Sequence, residues 1–199
     1  TDAKGQPAND AVVMLEPGSG RAPVKPLPQV DVSQAMKQFN PEVTVVTVGT
    51  PVNFPNFDTV RHHVYSKSPA KVFDLKLYAG VPEKPVIFDK AGIAVLGCNI
   101  HDAMGAWIVV SDTPWYALTG RDGKARVDNV PSGSYTMRVW HPAIPLNMEP
   151  PKLRVVPPGL RVLSIRGSDA SPNVVTVVRH DAPGNTKPVA VGARVEAGD

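Results

Sequence analysis

With 199 residues, of which 42% are hydrophobic, the chain can bury a substantial core, and this argues against wholesale disorder. Its 21 Lys and Arg residues against 18 Asp and Glu residues give a net charge of +3. The basic residues are scattered without interleaved aromatic residues, so no nucleic-acid partner is expected. No apolar run approaches the roughly 18 residues that span a bilayer. No secretory leader is visible and the sequence starts at Thr1, so we expect that a leader has been removed.

The 22 prolines and 16 glycines break the chain into short segments, which favours β-strands over long helices. A short apolar strand is predicted at residues 11–15, followed by a Pro-rich connector at 18–30. Residues 31–39 are predicted to hold a short helix, with Asp31 or Ser33 as its N-cap. Seven short strands follow, at 42–48, 50–54, 60–66, 72–78, 85–89, 92–97 and 106–110. This dense series is typical of a β-sandwich or a small barrel.

The sequence after residue 113 has further strand signals. Strands are predicted at 116–119, 125–129, 135–140, 153–156, 160–166 and 174–178. Asp122 and Gly123 together indicate a hairpin turn. Residues 183–199 are small and polar and contain Pro and Gly, so we expect a loose tail there. The whole chain is therefore predicted to be all-β.

A cysteine, a histidine and a methionine follow the strand predicted at 92–97. Cys98 is the single cysteine, which excludes an intrachain disulfide, and Cys98, His101 and Met104 form a C-x2-H-x2-M pattern. A thiolate, an imidazole and a thioether on one tight loop are soft ligands that select copper over calcium or magnesium, and zinc rarely recruits a thioether. The alternative is that Cys98 and Met104 only fill the core. The spacing favours a metal site, with a second histidine supplied by another strand.

Strand parity selects that second histidine from the adjacent pair His62 and His63. In an extended strand, alternate side chains share a face. One face carries Val60, His62, Val64 and Ser66, and the other carries Arg61, His63, Tyr65 and Lys67. The first face has no cation and is the better core face. His62 is therefore predicted to point inward as a ligand, and His63 to point outward.

Two imidazoles and a thiolate, His62, Cys98 and His101, with Met104 as an axial ligand, form the blue-copper pattern. On these residues the sequence resembles the cupredoxin family, which includes plastocyanin, azurin and amicyanin, and the short Cys-to-Met loop is most similar to that of amicyanin. The stretch from VGTPVNFPN through HHVYS to LGC is similar to bacterial plastocyanin-like proteins labelled methylamine-utilisation proteins. The resemblance implies a Greek-key β-sandwich over about residues 39–113. One position departs from it, since cupredoxins commonly have Asn where this sequence has His63.

The remaining sequence resembles a carboxypeptidase-regulatory-like, transthyretin-like β-sandwich. The resemblance lies in GQP followed by DAVVML near the start, and in TGRDGKARV and VPSGSYTMRV later in the chain. It implies that the copper domain, at 37–113, is inserted into a second module made of 1–36 with 114–182, and that segments near the two chain ends share a sheet. The tail then occupies 183–199. This module carries no catalytic constellation and is expected to be a scaffold or docking surface.

The sequence gives less support to other functional hypotheses. Cys98 and His101 lie too close on one loop to form a nucleophile–base pair easily, and five histidines are too few for a multicopper oxidase, so no enzymatic activity is expected. His141 and His180 lack ligand-type neighbours and are expected to be structural or exposed. Asp102, beside His101, is expected to be a solvated loop carboxylate.

The resemblance predicts a periplasmic, type 1 mononuclear copper protein that carries one electron. One copper per chain would cycle between Cu(I) and Cu(II), and an unidentified redox protein would dock near Arg61 and loop 99–105. A copper chaperone or sequestration protein would use the same ligands and is the alternative. A metal-free adhesion or assembly domain is the third hypothesis.

Overall fold

The computed structural model describes residues 7–131 and 135–144 and the strand segments 152–155, 163–168, 171–180 and 186–189. The regular elements in these ranges are all β-strands, so the predicted all-β class is confirmed. In chain order they are β1 (Val12–Pro17), β2 (Val30–Asp31), β3 (Ser33–Ala35), β4 (Gln38–Asn40), β5 (Val43–Thr47), β6 (Thr50–Asn53), β7 (His62–Ser68), β8 (Lys71–Tyr78), β9 (Val86–Phe88), β10 (Gly92–Cys98), β11 (Gly105–Ser111), β12 (Tyr116–Leu118), β13 (Lys124–Ala125), β14 (Tyr135–Trp140), β15 (Lys152–Val155), β16 (Leu163–Ser168), β17 (Ser171–His180) and β18 (Thr186–Val189). Among the described residues, no helix has the length and apolar character needed to cross a membrane.

The chain divides into two compact units. Unit 1 comprises Thr1–Ala22 together with Trp115–Asp199, and unit 2 comprises Pro23–Pro114. The predicted copper domain, 37–113, falls within unit 2, which begins earlier because β2 and β3 pair with strands of that unit. Each unit has its own buried apolar cluster, which is the physical basis of the division.

Unit 2 is a β-sandwich. Its larger sheet has the strand order β5-β11-β10-β7-β8, with a parallel pairing between β5 and β11 and antiparallel pairings elsewhere. A three-stranded sheet, β2-β6-β9, and the β3–β4 hairpin complete the unit. Val64 and Ile108 from the larger sheet and Val52 and Phe88 from the smaller one belong to one buried cluster. Packing the inner faces of two sheets together in this way places the strand ends, and the loops they carry, at fixed positions.

The helix predicted at 31–39 is wrong. The segment instead forms β2, β3 and β4, with a two-residue turn at Met36 and Lys37. The burial alternates with a period of two, since Val32 and Gln34 are fully buried while their neighbours are not, and this is the pattern of a strand. Met36 and Lys37 have φ angles of 53° and 57°, which a right-handed helix cannot contain.

Unit 1 contains a sheet of order β12-β1-β14-β15. β1 lies between β12 and β14 and is antiparallel to both, so a strand that precedes unit 2 in the sequence shares this sheet with strands that follow it. Val13, Met137 and Val139 lie in its buried cluster. The transthyretin-like assignment of this module stays a prediction.

A second sheet in unit 1 has the order β13-β16-β17-β18. The expected turn is present, with Gly123 at a φ of 69°, but β13 pairs with β16 instead of closing a hairpin with β12. The segment 183–199, predicted to be a loose tail, contains β18, which makes antiparallel backbone pairs with β17. Residues 190–199 lie outside the described residues.

Gly49, in the turn between β5 and β6, is required by its conformation. Its φ is 90°, a Cβ there would lie 2.8 Å from Cγ of Pro26, and its N–H donates to the Phe88 carbonyl over 2.7 Å. Gly49→Ala is therefore expected to destabilise the protein by about 1–3 kcal/mol, measured by urea denaturation. Gly105→Ala is the matched control, because a Cβ there would meet no atom closer than 4.0 Å. Equal midpoints for the two variants would contradict this prediction.

Candidate metal centre

β7 carries the first predicted ligand into the core. His62 is 0% exposed, and Val64 and Ser66 on the same face are also buried. His63 faces the other way, where its Nε2 lies 2.6 Å from Oδ1 of Asp74. The prediction that His62 points inward and His63 outward is therefore confirmed, because the side chains of a strand alternate between its two faces.

The other two donors lie at the end of β10 and in the loop that follows. Cys98 is the last residue of β10 and is buried, and His101 is half-buried. The loop is fixed by backbone hydrogen bonds, since the Met104 N–H donates to the His101 carbonyl over 2.9 Å. The Asn99 N–H donates to the His63 carbonyl over 3.1 Å and ties this loop to β7. A backbone hydrogen bond therefore connects the two segments that carry the candidate ligands.

The structure brings one sulfur and two imidazole nitrogens together. Sγ of Cys98 lies 3.6 Å from Nδ1 of His62 and 3.7 Å from Nδ1 of His101, and the two Nδ1 atoms are 3.1 Å apart. Zinc, as a reference, makes bonds of about 2.0–2.1 Å to nitrogen and about 2.3 Å to sulfur, so bond angles of about 100–120° put such donors about 3.1–3.8 Å apart. All three observed separations fall in that range. The donor set therefore fits one transition-metal ion, and it is the one such cluster of His, Cys, Asp and Glu found among the described residues.

Met104 and Asp102 differ in their environment. Met104 is buried in the same apolar cluster as Cys98, so its thioether faces the interior. Its role as an axial ligand stays a prediction. Asp102 is exposed and does not belong to the donor cluster.

Asp58 is a site residue that the sequence analysis missed. Its Oδ2 lies 2.8 Å from Nε2 of His62, on the side of the ring opposite the donor cluster. Asp58 also accepts hydrogen bonds from the backbone N–H groups of Met36 and Lys37. The Lys37 N–H is the main cause that holds the pKa of Asp58 below its usual range, and the His62 ring contributes. The available sequence signal is only an acidic residue four positions before His62, on a loop.

The histidines outside the cluster have other partners or fall outside the described side chains. In His141, Nε2 lies 3.0 Å from the Asn9 carbonyl oxygen, and Nδ1 accepts from the Ala143 N–H over 3.1 Å, which confirms a structural role. His180 is at the end of β17, and its side chain lies outside the described residues. His62 and His101 are therefore the candidate histidine ligands.

No protein-family model matches the sequence. No curated protein matches it either. It is similar to several solved structures, among them the copper-containing nitrite reductase (NirK) from Thermus scotoductus SA-01, with 27% identity, a TM-score of 0.39, and coverage of 55% of this chain and 26% of that one. Others are a purple cupredoxin from Nitrosopumilus maritimus, with 22% identity, a TM-score of 0.36 and coverage of 42% and 98%, and a pseudoazurin from Sinorhizobium meliloti, with 20% identity, a TM-score of 0.33 and coverage of 44% and 77%. The chain spans about a quarter of the length of the nitrite reductase.

Tyr78 and Gln34 form a polar contact inside unit 2. The Gln34 Nε2 donates to the Tyr78 hydroxyl over 2.6 Å, and that hydroxyl donates to the Phe54 carbonyl over 2.6 Å. The pKa of Tyr78 is raised to about 12, mainly by burial; the Gln34 hydrogen bond lowers it and negative charge at Cys98 adds to the rise. The hydroxyl is therefore held in its neutral form.

This raised pKa predicts a loss of stability at alkaline pH. The unfolded chain releases the Tyr78 proton near pH 10, whereas the folded chain keeps it to about pH 12, so the stabilising contribution is complete below 10 and is lost between 10 and 12. The difference in unfolding free energy between wild type and Tyr78→Phe should therefore shrink between pH 8 and pH 11, measured by urea denaturation at both values. A difference that stays constant would contradict the prediction.

Proposed function

We propose that this protein is a type 1 mononuclear copper protein that carries single electrons to or from a redox partner. The observation that supports this most strongly is that the Cys98 sulfur, Nδ1 of His62 and Nδ1 of His101 lie within 3.1–3.7 Å of one another. A thiolate with two imidazoles, and a thioether nearby on the same loop, is the ligand chemistry that suits copper. Copper bound here would supply a one-electron Cu(I)/Cu(II) couple.

The way the donors are held favours electron transfer over catalysis. His62 and Cys98 are on neighbouring strands, β7 and β10, and both are buried, so their positions are set by the sandwich. The loop carrying His101 is tied down by its own backbone hydrogen bond from Met104. Donors fixed in this way need little rearrangement when the charge of the site changes by one.

The surface beside the site supports a docking role. Ile100, next to His101, is 48% exposed. Phe57 and Met36 are 71% and 84% exposed; Phe57 precedes Asp58 in the chain, and the Met36 N–H donates to the Asp58 carboxylate. An exposed apolar side chain next to the half-buried His101, and two more beside Asp58, suit transient binding of a redox protein. The proposal includes a periplasmic location, which rests on the sequence resemblance alone.

An optical titration with Cu(II) tests the proposal. We expect one equivalent of Cu(II) to give an intense visible absorption that a reductant bleaches and an oxidant restores. A colourless complex would contradict the proposal. Rapid transfer of Cu(I) to an acceptor protein, without fast and reversible redox cycling, would instead indicate the copper chaperone or sequestration role.

Met104→Leu tests the proposed axial ligand. Leucine fills nearly the same buried space, so the free energy of unfolding should change by less than about 1.5 kcal/mol. Removing a sulfur donor should raise the reduction potential, because the oxidised ion loses an electron-donating ligand, while the visible colour remains. Voltammetry of Met104→Leu beside Met137→Leu, a buried methionine of unit 1 that serves as the control, measures the effect. Identical potentials in the two variants would show that Met104 only fills the core.

A further inference from the structure

We propose that Asp58, held by the turn between β3 and β4, is a positioning residue that keeps Nδ1 of His62 free of a proton and directed at Cys98 before any metal binds. This inference rests on the proposed function, since it concerns the readiness of that same site. It assigns a role to a hairpin that contributes no ligand. The hairpin comprises β3, the Met36–Lys37 turn and β4.

The hydrogen bonding fixes which ring nitrogen carries the proton. A neutral imidazole has one N–H donor and one acceptor nitrogen, and an ionised carboxylate can only accept. Because Oδ2 of Asp58 lies 2.8 Å from Nε2 of His62, the proton belongs on Nε2. Nδ1 then keeps its lone pair and lies 3.6 Å from Sγ of Cys98. Histidine ligands in metal sites are commonly oriented by such an outer hydrogen bond.

Asp58 is itself held by three backbone contacts. The Met36 N–H donates to Oδ1 over 2.6 Å and the Lys37 N–H donates to Oδ2 over 2.9 Å. The Asp58 N–H donates to the Asn56 side-chain oxygen over 2.9 Å, which fixes the backbone of Asp58 itself. Both oxygens of the Asp58 carboxylate therefore accept a backbone hydrogen bond, in addition to the contact between Oδ2 and His62.

The turn that supplies these N–H groups has a costly conformation. Both of its residues, Met36 and Lys37, have positive φ angles, and such two-residue turns normally use Asn and Gly. Met36 is 84% exposed, so packing of its side chain does not explain the conformation. The consequence of this conformation is that both backbone N–H groups donate to the Asp58 carboxylate. Strained backbone of this kind is common where it positions a functional group.

The chain offers a matched control pair on the opposite face of β7. Nε2 of His63 lies 2.6 Å from Oδ1 of Asp74, and Asp74 also accepts from the backbone N–H of Lys76, whose φ is 55°. The chemistry is the same, but the ring belongs to His63, outside the donor cluster. Asp74→Asn therefore repeats the Asp58→Asn change without touching the proposed site.

The test measures the His62 tautomer in the metal-free protein by ¹⁵N NMR of histidine-labelled samples at pH 7.5. Wild type is expected to show His62 protonated at Nε2 only. Asp58→Asn should give a substantial fraction with the proton on Nδ1, because a side-chain amide can donate to Nε2. Its Cu(I) affinity, measured against a chromophoric chelator, should fall about 10- to 100-fold. Asp74→Asn should leave both the His62 tautomer and the affinity unchanged.

Two results would overturn the proposal. One is the finding that His62 of the wild-type protein is protonated at Nδ1. This measurement requires no variant, so it does not depend on the folding of Asp58→Asn. The other is a folded Asp58→Asn variant that keeps the wild-type tautomer and an affinity within about twofold of wild type. The tautomer is read without metal, so a protein that fails to become coloured with Cu(II) would defeat the proposed function while leaving this result interpretable.

Discussion

The Cys98→Ser variant, mixed with Cu(II), is expected to retain less than about one tenth of the visible absorption of the wild-type complex. The intense colour of such sites comes from charge transfer between a thiolate sulfur and the ion, and Cys98 is the single cysteine of the chain. Serine has nearly the same shape but offers a poorly ionised oxygen. The two histidines would still bind Cu(II), so a pale complex is expected in place of the coloured one.

A matched variant separates this effect from general damage to the fold. His63→Gln changes the residue next to His62, but its side chain points away from the donor cluster toward Asp74. It should keep the colour of wild type. Circular dichroism and the dispersion of amide NMR signals would establish that Cys98→Ser is folded. Full colour in Cys98→Ser, or its loss in His63→Gln, would contradict the proposed ligand assignment.

Binding of copper is expected to stabilise unit 2 strongly. A ligand that binds only the folded state adds RT ln(1 + [L]/Kd), which is about 4.1 kcal/mol when the free ligand exceeds Kd a thousandfold. The donors come from β7 and from β10 with its following loop, so those strands cannot separate without losing the ion. Amide hydrogen exchange in β7 and β10 should therefore slow markedly when Cu(I) is added.

The strands of unit 1 provide an internal control for that experiment. β1 and β14 belong to a different compact unit and contribute no donor atom to the cluster, so their exchange rates should change little. The His101→Ala variant should lose most of the protection that Cu(I) gives to β7 and β10. Exchange rates in β7 that are the same with and without Cu(I) would show that the ion binds elsewhere or not at all.

The positions of the candidate ligands can be predicted from the sequence because they depend on local patterns. The alternation of Val60, His62, Val64 and Ser66 identifies the inward face of β7, and the C-x2-H-x2-M spacing places Cys98 and His101 on one loop. These patterns describe neighbours in the sequence, and the structure confirms the faces and the close approach of the donors. The seven strands predicted between residues 42 and 110 are confirmed for the same reason.

The parts that were missed depend on contacts between distant segments. Asp58 contacts His62, but its anchors are Met36 and Lys37, more than twenty positions earlier, and no periodicity connects them. The turn itself lacks the Asn or Gly that would indicate positive φ angles, so the sequence of this segment predicts a short helix. Buried Gln34 is likewise explained by long-range hydrogen bonds from its Nε2 to the Phe54 carbonyl and to the Tyr78 hydroxyl.

X-ray absorption at the copper K-edge of the protein loaded with one equivalent of copper tests the ligand set most directly. We expect one sulfur scatterer at short distance and two nitrogen scatterers with the multiple-scattering signature of imidazole, in agreement with Cys98, His62 and His101 as joint ligands. A spectrum with only nitrogen and oxygen neighbours, or with a single imidazole, would contradict the metal centre proposed for this protein.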